Sequence, residues 1–159
     1  MIIHPFPPLY NNKSEVLILG SFPSVKSREQ AFFYGHPQNR FWKVLAAVFE
    51  KPTPMSIEEK KAFLLANKVA LWDVIASCEI IGSADSTIKN ARANDLAPIL
   101  QNSCIRKIFV NGSTAKKYYD RYLLKQTGIE AILLPSTSPA NAAWSVDRLV
   151  SFWKDAILN

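Results

Sequence analysis

The sequence predicts an α/β protein, a three-layer α/β/α sandwich around a short, mainly parallel central sheet, built as one domain over residues 1–159. Three observations predict it. The chain has 159 residues and is 48% hydrophobic, the length of one domain and enough apolar side chain for a sizeable core. Short apolar runs alternate with segments of helical periodicity, which implies parallel strands joined by right-handed crossovers, with helices on both faces. Three of those runs end in polar loops, at 20–28, 111–113 and 135–141. In a parallel sheet such loops share the edge where ligands bind.

The elements follow in order. Val16-Leu-Ile-Leu-Gly20 is a strand, stopped by Ser21-Phe-Pro-Ser24, whose proline cannot continue a ladder. Asn39 is placed to cap a helix of about three turns from Phe41, with Trp42, Leu45, Val48 and Phe49 on its apolar face. Ser56 and Glu59 have capping-box spacing, so 57–67 is helical with Phe63 and Leu64 inward. Val69–Val74 is a strand. Residues 81–94 are turn-rich without a period and read as a loop before a short helix near 95–102. Lys107–Asn111 is a strand, Gly112 a turn, and Ser113 the cap of a basic helix. Glu130–Leu134 is the last strand, and a helix near 145–158 carries Leu149, Val150, Trp153 and Ile157 on one stripe. Trp42, Trp144 and Trp153 are expected in the core.

Composition removes several function classes. Cys78 and Cys104 form no close pair and lie near no histidine cluster, so neither a disulfide framework nor a zinc site has ligands, and a reducing cytoplasm fits. His4 and His36 are the only histidines, with no carboxylate at metal-ligand spacing, so no metal is expected. No Gly-Lys-Ser/Thr, dinucleotide fingerprint or Gly-x-Ser-x-Gly elbow occurs, which argues against nucleotide hydrolysis and acyl transfer. No leader or run of about 18 apolar residues is present, so no membrane association is expected.

The net charge of +6 favours a polyanionic partner. It is concentrated: within 101–128, Arg106, Lys107, Lys116, Lys117, Arg121 and Lys125 face only Asp120. A solvated helix face and a phosphate-tracking face fit that pattern equally well.

The distinctive stretch is Tyr34-Gly-His-Pro-Gln-Asn-Arg-Phe-Trp42. Together with Gly20-Ser-Phe-Pro-Ser24 and Leu134-Pro-Ser-Thr-Ser-Pro-Ala-Asn141 it resembles the motifs of the uracil-DNA glycosylase superfamily, most closely the hypoxanthine-DNA (deoxyinosine) glycosylase branch. Gly82-Ser-Ala-Asp-Ser-Thr-Ile-Lys89 is similar to that branch as well. The resemblance implies one DNA glycosylase domain of the uracil-DNA glycosylase fold, acting without a cofactor on DNA that contains a deaminated base. It also implies that Asn39 is catalytic, its side-chain amide positioning the water that attacks the anomeric carbon; an amide can orient water through its carbonyl oxygen without being a strong base. In the uracil-excising branch the first motif supplies an aspartate and the last a histidine; Phe22 and Ser136 stand there in this chain. Those departures favour hypoxanthine over uracil.

Phe22, Tyr34, Asn111 and Ser136 are the candidates for holding the base. Ser21, Ser24, Lys26, His36, Ser138, Asn141, Lys116 and Lys117 are the candidates for DNA contacts. Each has a plainer role to set beside this: Asn39 as a cap, Tyr34 and Phe22 as core or rim aromatics, Asn111 as a turn residue, Ser136 and Ser138 as partners of backbone groups, His36 as a loop lock. The rival functions are a uracil-removing relative, a DNA-damage-binding module with weak catalysis, and a small-molecule hydrolase. A monomer is expected.

Overall fold

A computed structural model describes residues 1–159. Four strands form the predicted parallel sheet: β2 (Val16–Gly20), β3 (Val69–Asp73), β6 (Lys107–Asn111) and β7 (Ala131–Leu134), in the order β3-β2-β6-β7. The middles of β3, β2 and β6 are sealed on both faces, as their continuous apolar runs require: Leu17, Ile18, Leu19, Ala70, Leu71, Ile108, Phe109 and Val110 have no exposed surface, whereas Ile132 and Leu133 of the edge strand β7 are exposed. The chain moves one way along the sheet from β2 to β3 and the opposite way from β6 to β7. Right-handed crossovers therefore put the intervening helices on opposite faces, which makes three layers.

Between β2 and β3 run α1 (Val25–Gln30), α2 (Phe41–Val48) and α3 (Ile57–Ala66); α4 (Ala97–Gln101) precedes β6; α5 (Ser113–Tyr122) and α6 (Leu124–Thr127) lead to β7; α7 (Val146–Leu158) packs on α2 and β7. Ser56 and Glu59 close the capping box of α3, and Ser145 caps α7. No helix is long and apolar enough to cross a membrane.

Several expectations need correction. Residues 81–94 are not all loop: β1 (Ile2–Ile3), β4 (Ile75–Glu79) and β5 (Lys89–Ala93) form a second, antiparallel sheet, with a 3₁₀ turn at Asp85–Thr87. Two register shifts interrupt the β4–β5 pairing and Asn90 has φ +53°, so the alternation that would mark a strand is broken. The second half of the first polar loop, residues 25–28, is helical as part of α1, which Ser24 caps. Helix α2 stops after two turns, where Glu50 turns left-handed at φ +55°. Gly112, at φ +99°, precedes α5 as its cap, and Ser113 is its first helical residue. Trp42 and Trp153 are core, but Trp144 is half-buried, with the Arg148 guanidinium 4.1 Å over its ring.

Candidate active site

The carboxyl ends of the parallel strands open into a cavity of about 550 Å³, within the usual range of small-ligand sites. The loops after β2 and β7 contribute to it, and so do Asn111 at the end of β6 and the segment before α2. Gly20 is its pinch point. A β-carbon there would lie 2.5 Å from Asp73 Oδ1 and 3.1 Å from Tyr34 Oη, so only glycine lets both groups approach the end of β2.

One wall is a chain of neutral hydrogen bonds. Backbone N–H groups can only donate, and two of them fix its direction. The Thr137 N–H meets Asn111 Oδ1 at 3.1 Å, and the Phe41 N–H meets Asn39 Oδ1 at 2.9 Å. Asn111 Nδ2 therefore donates to Thr137 Oγ1 (3.0 Å) and Tyr34 Oη (3.3 Å), and the Thr137 hydroxyl, fully buried, donates to Asn39 Oδ1 at 2.9 Å. Both amide protons of Asn111 are thus engaged.

Asn39 is not the formal cap of α2, a place Arg40 takes without a side-chain bond. Its carbonyl oxygen nevertheless holds the first free N–H of that helix. The oxygen that the sequence reading gives to the water already has two protein donors. The cavity-facing Nδ2 is the unpaired part of the side chain, a donor polarised by the relay behind it.

Arg40 had no assigned role in the sequence. Its guanidinium donates to the backbone carbonyls of Ser138 (2.7 Å), Asn141 (3.1 Å), Thr137 (3.3 Å) and Trp144, and its own N–H donates to Thr137 O. It staples the start of α2 to the loop after β7. That loop is also held from within: Ser136 Oγ accepts from Ser138 N, Ser138 Oγ from Ala140 N, and Asn141 Nδ2 donates to Ser136 O. Ser136 and Ser138 line the cavity, while Asn141 lines a second hollow beside it.

Tyr34, at φ +52°, stacks on Phe41 with centroids 4.0 Å apart. Burial, and then the negative charge of Asp73, push its phenol far above its usual range, so it stays protonated. Phe22 is buried in the cavity lining, edge-on to His4. Two carboxylates complete the site. Asp73 is buried and accepts from His4 Nε2 at 2.7 Å. Asp85, on the 3₁₀ turn, accepts from Ser21 Oγ at 2.9 Å; burial raises its carboxyl above the ordinary value, against the opposing hydrogen bonds of Ser21 and Thr114.

Ser21, Ser24 and His36 line the cavity, and His36 Nδ1 accepts from Gln38 N. Lys26, Lys116 and Lys117 do not line it. Lys26 pairs with Glu29 at 3.5 Å, Lys116 with Asp120 at 2.8 Å, and Lys117 lies 5.3 Å from the Tyr118 ring centre. Sequence reading missed Thr137, Arg40, Asp73 and His4. Thr137 and Arg40 carried a signal, their places inside the third motif and inside the Tyr34–Trp42 string.

The family described as the uracil DNA glycosylase superfamily matches residues 7–157. The chain belongs to that superfamily. Within the superfamily it is 37% identical to a hypoxanthine DNA glycosylase of Methanosarcina acetivorans over 93% of this chain and 94% of the relative. It is 32% identical to one of Methanosarcina barkeri over 95% of each. A solution NMR structure of a candidate uracil DNA glycosylase from Methanosarcina acetivorans superposes with a TM-score of 0.83 at 35% identity, covering 98% of this chain and 96% of that one. The fold described above is thus that of the superfamily, here carrying Phe22 and Ser136 within its motif loops.

Proposed function

We propose that the protein is a monofunctional DNA glycosylase that takes a deaminated base, above all hypoxanthine, out of the duplex and hydrolyses its N-glycosidic bond, leaving an abasic site for base excision repair. The observation that carries this reading is the Asn111–Thr137–Asn39 relay, which presents an oriented amide donor to a cavity of about 550 Å³, roomy enough for a flipped nucleotide. The names of the two Methanosarcina relatives support the choice of base.

The chemistry asks little of a strong base. As the bond from C1′ to the base breaks, its electron pair leaves with the base, and positive charge spreads over the sugar ring. A water then adds at C1′, and its proton ends on the departed base. Nδ2 of Asn39 can hold that water by one lone pair and leave the other aimed at C1′, a positioning effect that needs no ionised group. The base must first leave the stack, which costs least where pairing is already weak. Tyr34 and Phe22 offer aromatic surface to receive it, and the serine hydroxyls and backbone N–H groups of the motif loops suit phosphate contacts. One chain supplies every wall of the cavity, consistent with a monomer, and the free thiols of Cys78 and Cys104 suit a reducing cytoplasm.

The test is single-turnover excision, in excess EDTA, from oligonucleotides carrying hypoxanthine, xanthine or uracil. Hypoxanthine is expected to be released at least about tenfold faster than uracil, about 1.4 kcal/mol of barrier, with the strand intact until alkali is added. Preferred release of uracil overturns the choice of base. Cleavage of free nucleoside with no dependence on salt overturns the DNA glycosylase reading itself.

A further inference from the structure

We propose that His4 and Asp73 act as one unit that reads the ring N–H of the flipped base, with Asp73 as the specificity-determining acceptor and His4 as its positioning residue. The inference rests on the glycosylase reading and supplies its means of rejecting adenine, the parent base of hypoxanthine.

Asp73 ends β3, and its side chain is only 6% exposed. One oxygen, Oδ2, is occupied by His4 Nε2 at 2.7 Å. The other, Oδ1, has no hydrogen-bond donor within the protein yet is not sealed in, and Asp73 lines the cavity beside Gly20. No lysine or arginine lines that cavity, so no cation accounts for the carboxylate. An ionised group in so dry a place is unfavourable unless something meets it. Its surroundings are held still: the Asp73 carbonyl takes Asn94 Nδ2 at 2.8 Å, and Val74 N–H donates to Gly20 O.

His4 arrives from the antiparallel sheet, just after β1, with its side chain 3% exposed. Its ring is confined by Phe6 at 4.5 Å and Trp72 at 4.4 Å, centre to centre, and Phe6 N–H points at Nδ1 from 3.4 Å. That contact makes Nδ1 the acceptor and leaves the proton on Nε2, where Asp73 receives it. The carboxylate therefore cannot turn, and Oδ1 stands in the cavity as a group that only accepts.

The chemistry of deamination fits such a reader. Adenine presents a lone pair at N1; hypoxanthine presents N1–H. A neutral amide could offer either face of itself to the two bases, whereas a carboxylate bonds the second and repels the first. Sites built to bond an N–H discriminate strongly against analogues that lack it.

The experiment compares oligonucleotides carrying hypoxanthine with ones carrying unsubstituted purine, which has the N1 lone pair and no exocyclic group. Single-turnover excision and equilibrium binding are read for the wild type, Asp73→Asn, His4→Gln and His4→Phe, with melting temperatures to identify any variant that fails to fold. The wild type should favour hypoxanthine by about a hundredfold or more. In Asp73→Asn the His4 proton holds the amide oxygen, so the NH₂ faces the cavity; the preference should fall by at least about tenfold because purine improves relative to hypoxanthine. His4→Gln, which keeps a donor, should retain the preference, and His4→Phe should lose most of it. An unchanged ratio in Asp73→Asn, or an equal loss on both bases, overturns the proposal, and so do equal ratios in the two His4 variants. Failure of the wild type to release hypoxanthine is failure of the glycosylase reading instead; the binding ratios then decide this inference alone.

Discussion

The two walls of the cavity solve the same problem by different means. On one, Asn111, Thr137 and Asn39 are aimed by backbone N–H groups, and none of the three titrates. On the other, Asp73 and Asp85 are aimed by His4 and Ser21, and every bond involves an ionisable group. The first wall therefore keeps its polarity whatever the pH, while the second carries charge into a cleft meant for a polyanion. Positioning of water belongs naturally to the wall that costs no desolvation of charge.

The largest effect should come from breaking the neutral wall at its end. Asn39→Ser keeps a short oxygen that can hold the Phe41 N–H, so its melting temperature should stay near that of the wild type. It removes the Nδ2 donor, and single-turnover excision should fall at least about a hundredfold, about 3 kcal/mol of barrier. Full activity in Asn39→Ser would reduce the residue to a helix cap.

A smaller effect is expected one link further back. Thr137→Val preserves shape but deletes the hydroxyl that joins the two amides. Stability should drop by about 1–2 kcal/mol, because Asn111 Nδ2 and Asn39 Oδ1 each lose a buried partner, and excision by about tenfold. Loss of stability with excision unchanged would show that the relay only braces the loop.

The smallest effect belongs to the acidic wall and depends on pH. Burial raises the Asp85 carboxyl above its ordinary value of 3.8. The neutral form is thus the one the fold prefers, and its stabilising contribution is complete below the ordinary carboxylate range and lost as pH rises through the raised value. Asp85→Asn should melt slightly higher than the wild type at neutral pH, with the gap closing by about pH 3. A gap of constant size across that range would mean that the charge of Asp85 is not what matters.

The parallel sheet was legible because each of its strands is a short apolar run, sealed on both faces in all but the edge strand β7. The second sheet was not. Ile75–Glu79 and Lys89–Ala93 are short, mixed in polarity and interrupted in register, and β1 supplies two residues paired to Cys78 and Ser77 far along the chain. The same distance concealed half the site. Asn39 and the serine loops announce themselves as local strings, but nothing in Val69-Ala-Leu-Trp-Asp73 suggests a partner at position 4, and nothing in Arg40 suggests four carbonyls about a hundred residues ahead. Contacts made by tertiary closure leave no periodic trace.

Gly20 gives the two walls a common hinge point. Tyr34, which receives an amide proton of Asn111, and Asp73, which receives the proton of His4, both rest against the same bare α-carbon. One added methyl would have to push a member of each wall aside at once. Position 20 therefore sets a lower limit on how small the site can be made and an upper limit on how far either wall can drift: the shape of the pocket is written in an atom the chain leaves out.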